Sequence, residues 1–259
     1  MSIHPTAVID PSAAIEPTAS VGAYAVVGPR VVIGPEVEIR PHAVIDKDTA
    51  IGRGTRIFPF ASVGADPQDL KYQGERTRLT IGENVTIRES ATIHRGTGGG
   101  GGLTAIGDGC LIMATAHVAH DCRLGPGVIL SSYAVLAGHI TIGEGAIIGG
   151  LSAIHQFCRV GPHAFLGGFS GASKDLPPYM AVAGEGRRLV LLGPNVVGLR
   201  RRGLPQAALD ALKGAHHLIS RNHRPLAEVL AEAEAAYGPV PEVRTVLDFY
   251  RSSERGVYR

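Results

Sequence analysis

Counted in steps of six from Ile3, the chain returns a β-branched aliphatic residue at Ile9, Ile15, Val21, Val27, Ile33, Ile39, Ile45, Ile51, Ile57 and Val63. The frame resumes at Ile81, Ile87 and Ile93, restarts at Ile106, and runs through Ile112, Val118, Leu124, Leu130, Leu136, Ile142, Ile148, Ile154, Val160 and Leu166. Two positions before each stands a small residue or Val, as at Ala7, Ala25, Val31, Ala43 and Thr55. Gly often follows, as at Gly22, Gly28, Gly34, Gly52 and Gly64. A fixed period held over this much chain is the mark of a solenoid. Three hexads make one triangular coil, and successive coils stack at the strand spacing of about 4.8 Å. The frame residue faces inward, and the small residue is expected to let the chain turn at the corner.

Two stretches leave the frame: a charged segment at about 66–78 and a Gly-rich one at about 95–103. Loops ejected from a rigid solenoid are where such proteins place function. Beyond Lys174-Asp175-Leu176-Pro177-Pro178 the period becomes helical. Leu209, Leu212, His216 and Ile219 share a helix face, as do Leu226, Val229, Leu230 and Ala233, and then Val243, Val246, Leu247 and Tyr250. Pro205, Pro225 and Pro241 stand where helices are expected to start. The chain therefore divides into a coil domain at 1–185 and a helical domain at 186–259.

Composition agrees with a thin core of aliphatic layers: 44% apolar residues, 5% aromatic, no Trp and 35 Gly. The net charge of +2, with no basic run interleaved with aromatics, argues against a nucleic-acid partner. No apolar run reaches the roughly 18 residues of a membrane span, so no stable membrane insertion is expected. The N-terminal Met1-Ser2-Ile3-His4-Pro5 has neither the basic nor the apolar region of a signal peptide. Three Cys without metal spacing suit a reducing compartment, and a cytoplasmic location is expected. Cys110, Cys122 and Cys158 each stand four residues after a frame residue, at the small inward position, where they read as buried hydrophobes.

The candidate chemistry lies in one column. His117-Val118-Ala119-His120-Asp121 carries two imidazoles and a carboxylate, and the inward Val118 turns both His outward. His139 follows Asp121 by one coil, within expected hydrogen-bonding reach. His155 and Gln156 come a coil later, and His94 lies two coils or so below. A lone outward His is an ordinary solvated residue. A column of His, Asp, His and Gln instead points to general base catalysis by an imidazole held in one tautomer.

These features together carry a specific resemblance. The hexads resemble the hexapeptide-repeat proteins, which implies a mainly β fold: a left-handed parallel β-helix, here with a C-terminal α-helical tail. The segments QDLKY (Gln68–Tyr72), RESATIHRGT (Arg88–Thr97), HVAHDC, LAGH and AIHQF resemble, in order and spacing, the family of UDP-N-acetylglucosamine O-acyltransferases that opens lipid A and lipopolysaccharide synthesis. Asn195–Gly203 resembles that family's nucleotide-contacting segment. The resemblance implies transfer of an (R)-3-hydroxyacyl group from acyl carrier protein to the glucosamine 3-position, with no cofactor. His120 is then the base, Asp121 its orienting carboxylate, and the Gly138 N–H the oxyanion donor. Gln68, Asp69, Lys71, His94, His117, His139, His155, Gln156, Asn195, Arg201 and Arg202 would hold the nucleotide sugar. Gly168 would set acyl length.

The family also implies a homotrimer, with the QDLKY loop reaching toward a neighbour's histidine column. Two departures stand out: Ala183–Leu189 lacks the family's Gly-Asn pattern and is about two residues longer, and Val197 replaces a carboxylate of some members. Three other readings compete. The sister N-acyltransferase normally carries a domain before its hexads, which here begin at Ile3. A purely structural solenoid would have no use for the QDLKY loop. Hexapeptide-repeat carbonic anhydrases bind zinc through His residues five apart; here the close pair is three apart, and no metal is expected.

Overall fold

The computed structural model describes residues 2–185, 188–220 and 224–259. Short strands pass in turn through three parallel sheets. The first sheet begins at Ser2–Ile3 and includes Phe165–Leu166; the second runs from Val8–Ile9 to Gly171–Ala172; the third runs from Ala14–Ile15 to Arg159–Val160. Paired residues are 18 apart, as Ile147 and Phe165 are, so three hexads close each turn of a left-handed parallel β-helix. Each frame residue stacks on its counterparts above and below, and Ile33, Ile45, Ile57, Ile93, Ile112 and Leu130 are wholly enclosed. At about 25 cal/mol per Å² of apolar surface, these ladders supply most of the cohesion of a core without Trp.

The turning device differs from the one expected. The small residues two before the frame, such as Ala25, Ala43 and Ala116, line the core. The corner falls one residue earlier, on left-handed backbone at Tyr24, His42, Phe60, Asp121, His139 and Phe157 among others. That conformation costs about 1–2 kcal/mol for a residue with a Cβ, and the stacked core offsets it. The Gly after the frame residue answers to the coil above: a Cβ on Gly52 would lie 2.6 Å from the Gly82 carbonyl.

Both ejected segments leave from the edge between the second and third sheets. The pairing interval rises to 30 across the first (Ile57 with Ile87) and to 25 across the second (Thr92 with His117). Each is shorter than expected at its far end, because Arg78–Ile81 and Leu103–Ile106 are already strands. The first loop is pinned at both ends. Arg95, wholly buried, donates to the Gly64 carbonyl, to Asp66 and to the Tyr72 hydroxyl. At the far end Arg76 and Arg30 both bind Asp48, and the Arg30 guanidinium in particular lowers that carboxyl to about 2.

Past the coils, Met180–Glu185 adds to the first sheet and turns back as the antiparallel strand Arg188–Pro194. The tail expected to be helical from 186 therefore opens with a strand, in which Leu189 and Leu191 pack inward while Val190 and Leu192 face out. Residues 186 and 187, at the expected domain boundary and inside the lengthened stretch, lie outside the described residues. Helices follow at Val196–Arg201 (α1), Gln206–Ser220 (α2), Leu226–Tyr237 (α3) and Pro241–Arg251 (α4). Their buried faces include Leu209, Leu212, Ile219, Val229, Leu230, Val243, Val246 and Leu247, as the helical period predicts. Among the described residues no helix is long and apolar enough to cross a membrane.

Candidate active site

His120 and Asp121 sit on the same edge that ejects both loops, between the strands His117–Val118 and Arg123–Leu124. The His120 Nδ1 lies 2.8 Å from Asp121 Oδ2. Asp121 is buried and also accepts from the Thr97 N–H (3.0 Å) and the Thr97 hydroxyl (2.7 Å), while its own N–H donates to Thr104 Oγ1 (2.8 Å). A carboxylate only accepts, and Thr97 donates to both of its oxygens, so His120 Nδ1 is the donor toward it. The lone pair is left on Nε2, and among the described residues the His120 ring bonds to Asp121 alone. Gly138, one coil higher, lies against that ring: a Cβ there would come 2.5 Å from His120 Cε1. Among the described residues the Gly138 N–H donates to no protein acceptor.

The histidine column is real but its contacts differ from expectation. His139 Nδ1 is 3.8 Å from Asp121 Oδ2, too far for a hydrogen bond. Its ring instead meets His120 edge-on at 5.0 Å and stacks on Phe157 at 4.6 Å. His117 bonds Thr92 Oγ1 at 2.7 Å and meets His94 edge-on. His155 Nδ1 lies 3.1 Å from Arg255 Nη2. Arginine only donates, so toward Arg255 this nitrogen accepts, whereas toward the Gln156 carbonyl, at 3.3 Å, it could only donate. Gln156 is exposed beside it.

His94 is only 4% exposed, and burial chiefly, with His117 beside it, lowers its pKa to about 4. Between pH 6.5 and 4 the unfolded chain then holds more protons than the folded one, so stability falls as pH drops through that window and levels off below it. Replacing His94 with Asn is expected to narrow the difference in urea midpoint between pH 7 and pH 4.5.

Across a cavity of about 310 Å³, His139 and Phe157 face Asp69, Lys71, Tyr72 and Glu75 of the same chain's first loop. Within one chain the QDLKY loop thus faces that chain's own histidine column. Asp69 Oδ1 caps the Lys71 N–H at 2.9 Å, and Gln68 is exposed at the loop's start. Asn195, Arg201 and Arg202 are elsewhere, on the edge between the third and first sheets. Asn195 caps α1 by accepting from Gly198 N–H (3.2 Å), Arg202 donates to the Gly145 carbonyl (2.9 Å), and Arg201 is exposed. Gly168 lies on the remaining edge, one coil above Gly150, whose carbonyl a Cβ would approach to 3.1 Å. Between the Gly168 edge and the histidine edge, the second sheet presents Val135, Ala137, Ala153 and Gly171 to a cavity of about 430 Å³.

Sequence reasoning missed Thr97, Phe157 and Arg255. Phe157 stands 18 residues after His139, so the coil period could have found it. Arg255 is brought to His155 by the far end of the chain, which no periodicity signals. The cysteines are inert: burial pushes the Cys110 thiol up to about 11 and that of Cys122 to about 12. His120, Asp121 and His139 have ligand atoms within 4.8 Å of one another, but the Nδ1 of His120 is already committed to Asp121 as a hydrogen-bond donor.

A hexapeptide coil whose carboxylate-held imidazole keeps a free nitrogen is suited to moving an acyl group by base catalysis, which is the work of the hexapeptide-repeat acyltransferases. Residues 12–47 and 104–138 match the family described as bacterial transferase hexapeptide (six repeats), and residues 175–258 match that described as Udp N-acetylglucosamine O-acyltransferase, domain 2. The chain is 46% identical over 259 residues, the full length of both, to an acyl-[acyl-carrier-protein]–UDP-N-acetylglucosamine O-acyltransferase of Anaeromyxobacter sp. (strain Fw109-5). It superposes on the UDP-N-acetylglucosamine O-acyltransferase of Moraxella catarrhalis with a TM-score of 0.96, at 40% identity over all of both chains. With the Arabidopsis UDP-N-acetylglucosamine acyltransferase the TM-score is 0.86, at 34% identity over 99% of this chain and 100% of the other. The chain belongs to the UDP-N-acetylglucosamine O-acyltransferase family.

Proposed function

We propose that the protein transfers an (R)-3-hydroxyacyl group from acyl carrier protein to the 3-position of the glucosamine in UDP-N-acetylglucosamine, in the cytoplasm, as the first step toward lipid A. The observation that carries this is the pairing of His120 with Asp121 beneath Gly138, on the edge that the Asp69 and Lys71 loop covers. The sugar 3-hydroxyl oxygen attacks the thioester carbonyl while its proton passes to His120 Nε2. The oxyanion that forms is met by the Gly138 N–H. Its collapse breaks the C–S bond, and the carrier thiol leaves with the proton from His120. Every group in this cycle is supplied by the chain or its two substrates, so the reaction needs neither cofactor nor metal. His139, His155 and Gln156 bind the sugar and phosphates with Asp69 and Lys71, and Gln68 borders them. His117 and His94 support the column from below.

Asn195, Arg201 and Arg202 reach the nucleotide from a second copy in a homotrimer, since within one chain they occupy a different edge from His120. Guanidinium groups suit a diphosphate there. A mixture of His120→Ala chains with Arg201→Ala, Arg202→Ala chains, refolded together, is then expected to regain activity. Because Lys71 shares the histidine edge, His120→Ala mixed with Lys71→Ala stays inactive. Recovery in the second mixture and none in the first would overturn the arrangement.

The acyl chain lies over Val135, Ala153 and Gly171 toward Gly168, a path of about 16 Å along the strand. Each buried methylene contributes about 0.8 kcal/mol, so a side chain at Gly168 that ends the path selects against long donors. Mass spectrometry of products from UDP-N-acetylglucosamine with a panel of 3-hydroxyacyl carrier proteins tests the reaction itself. In the same assay Gly168→Met is expected to lower the long-to-short ratio of kcat/KM severalfold; an unchanged ratio discards the ruler.

A further inference from the structure

The second ejected loop closes around the carboxylate that holds the base. Thr97 opens it, accepting the Gly100 N–H with its own hydroxyl while giving that hydroxyl's proton to Asp121 Oδ2 and its N–H to Asp121 Oδ1. One glycine of the loop is small for the same reason: a methyl group on Gly100 would overlap the Asp121 carboxylate. Gly100 has no left-handed backbone to explain its identity, so close approach to Asp121 is what excludes a side chain there. The loop is tied in turn to the substrate loop, because Glu75 accepts the N–H of both Gln73 and Gly98.

We infer that Thr97 is a positioning residue for the acyl transfer: its hydroxyl shares the charge of Asp121, fixes the carboxylate oxygen that faces His120, and thereby sets how firmly His120 holds a proton. The inference rests on His120 acting as the base. Removing the hydroxyl leaves Asp121 with one donor fewer, so more of its charge acts on the His120 Nδ1 proton, and the ring keeps its second proton to higher pH. The charged and titratable neighbours of His120 are Asp121, His139 at 5.0 Å, His117 and His94 below, and Asp69, Lys71 and Glu75 across the cavity. None of them is altered by the substitution.

The test compares Thr97→Val, Thr97→Ser and Gly100→Ala with the parent protein in acyl transfer from a 3-hydroxyacyl carrier protein to UDP-N-acetylglucosamine. Val matches Thr in shape, and the Gly100 N–H retains the Thr97 carbonyl as an acceptor. Thr97→Val is expected to lower kcat about tenfold, the lower end of what outer-shell partners contribute, with KM for the nucleotide sugar within about twofold. The acid limb of its kcat/KM profile is expected to move up by about half a pH unit or more. Thr97→Ser, which keeps the hydroxyl, restores both. Gly100→Ala is expected to reduce kcat by at least as much and to lower the thermal midpoint, because the methyl and the Asp121 carboxylate cannot both keep their places. An acid limb that stays put in Thr97→Val, a Ser variant as impaired as Val, or a fully active Gly100→Ala overturns the inference. The base assignment is judged separately: an inactive His120→Ala beside a normal Thr97→Val removes only the role of Thr97, whereas an active His120→Ala removes both.

Discussion

Substituting His120 with Ala is expected to lower kcat by about a thousandfold, within the range a positioned general base contributes, while the thermal midpoint changes little. The first part follows from the free Nε2. Asp121 commits the opposite nitrogen as a donor at 2.8 Å, and among the described residues nothing else bonds the ring. The second part follows from where the side chain lies. The inward ladder at this height is carried by Val118 and Cys122, both wholly enclosed, and His120 stands outside it. Truncation removes an edge contact with His139 and opens space over Gly138, with no void in the core. Steady-state kinetics with saturating acyl donor and a calorimetric scan of the same preparation check both halves. Turnover within tenfold of the parent, in a folded variant, would remove His120 as the base.

Arg95→Leu is expected to cost about 2–4 kcal/mol of stability and to raise KM for the nucleotide sugar by an order of magnitude or more. Arg95 is wholly buried, and its guanidinium reaches the Gly64 carbonyl, Asp66 and the Tyr72 hydroxyl, so one side chain fastens the start, middle and underside of the first loop. Breaking a buried pair by removing one member costs about 3–5 kcal/mol; Asp66 is about half exposed, and water recovers part of that. The buried Gly64 carbonyl has no such relief. With the pin gone, Asp69 and Lys71 lose their fixed height opposite His139, which weakens substrate binding before it touches the base. Denaturant unfolding and the KM-to-kcat split distinguish this from a general loss of fold. A variant with wild-type stability and unchanged KM would show that the loop holds itself.

The coil was legible in the chain because a solenoid repeats one local environment. An inward position that admits only an aliphatic residue recurs every six residues, and the packing demand that creates it is the same at Ile33 as at Leu166. The same regularity made the histidine column readable: His120, His139 and Gln156 fall at nearly equal phase of an 18-residue turn, so their common edge follows from arithmetic. The helical faces around Leu212, Leu230 and Val246 were equally visible, since burial against one another and against the strand Arg188–Pro194 imposes a 3.6-residue period. By contrast, Arg188–Pro194 is apolar almost throughout, and such a run does not by itself distinguish a strand from a buried helix.

What the residues determined unaided was therefore the architecture, the edge on which the histidine column lies and the residue types available there. Tertiary structure alone decided the contacts between parts that share no period. It set His139 at 3.8 Å from Asp121 and against Phe157 instead, folded the first loop over its own chain's histidines, and placed Asn195, Arg201 and Arg202 on another edge. It also brought Thr97 and Gly100 around Asp121 and Arg255 to His155. The reason is physical. Within the coils each residue's neighbours are fixed by a constant interval along the chain, whereas loops and tail find theirs through hydrogen bonds and ion pairs between distant segments, whose geometry no local pattern encodes.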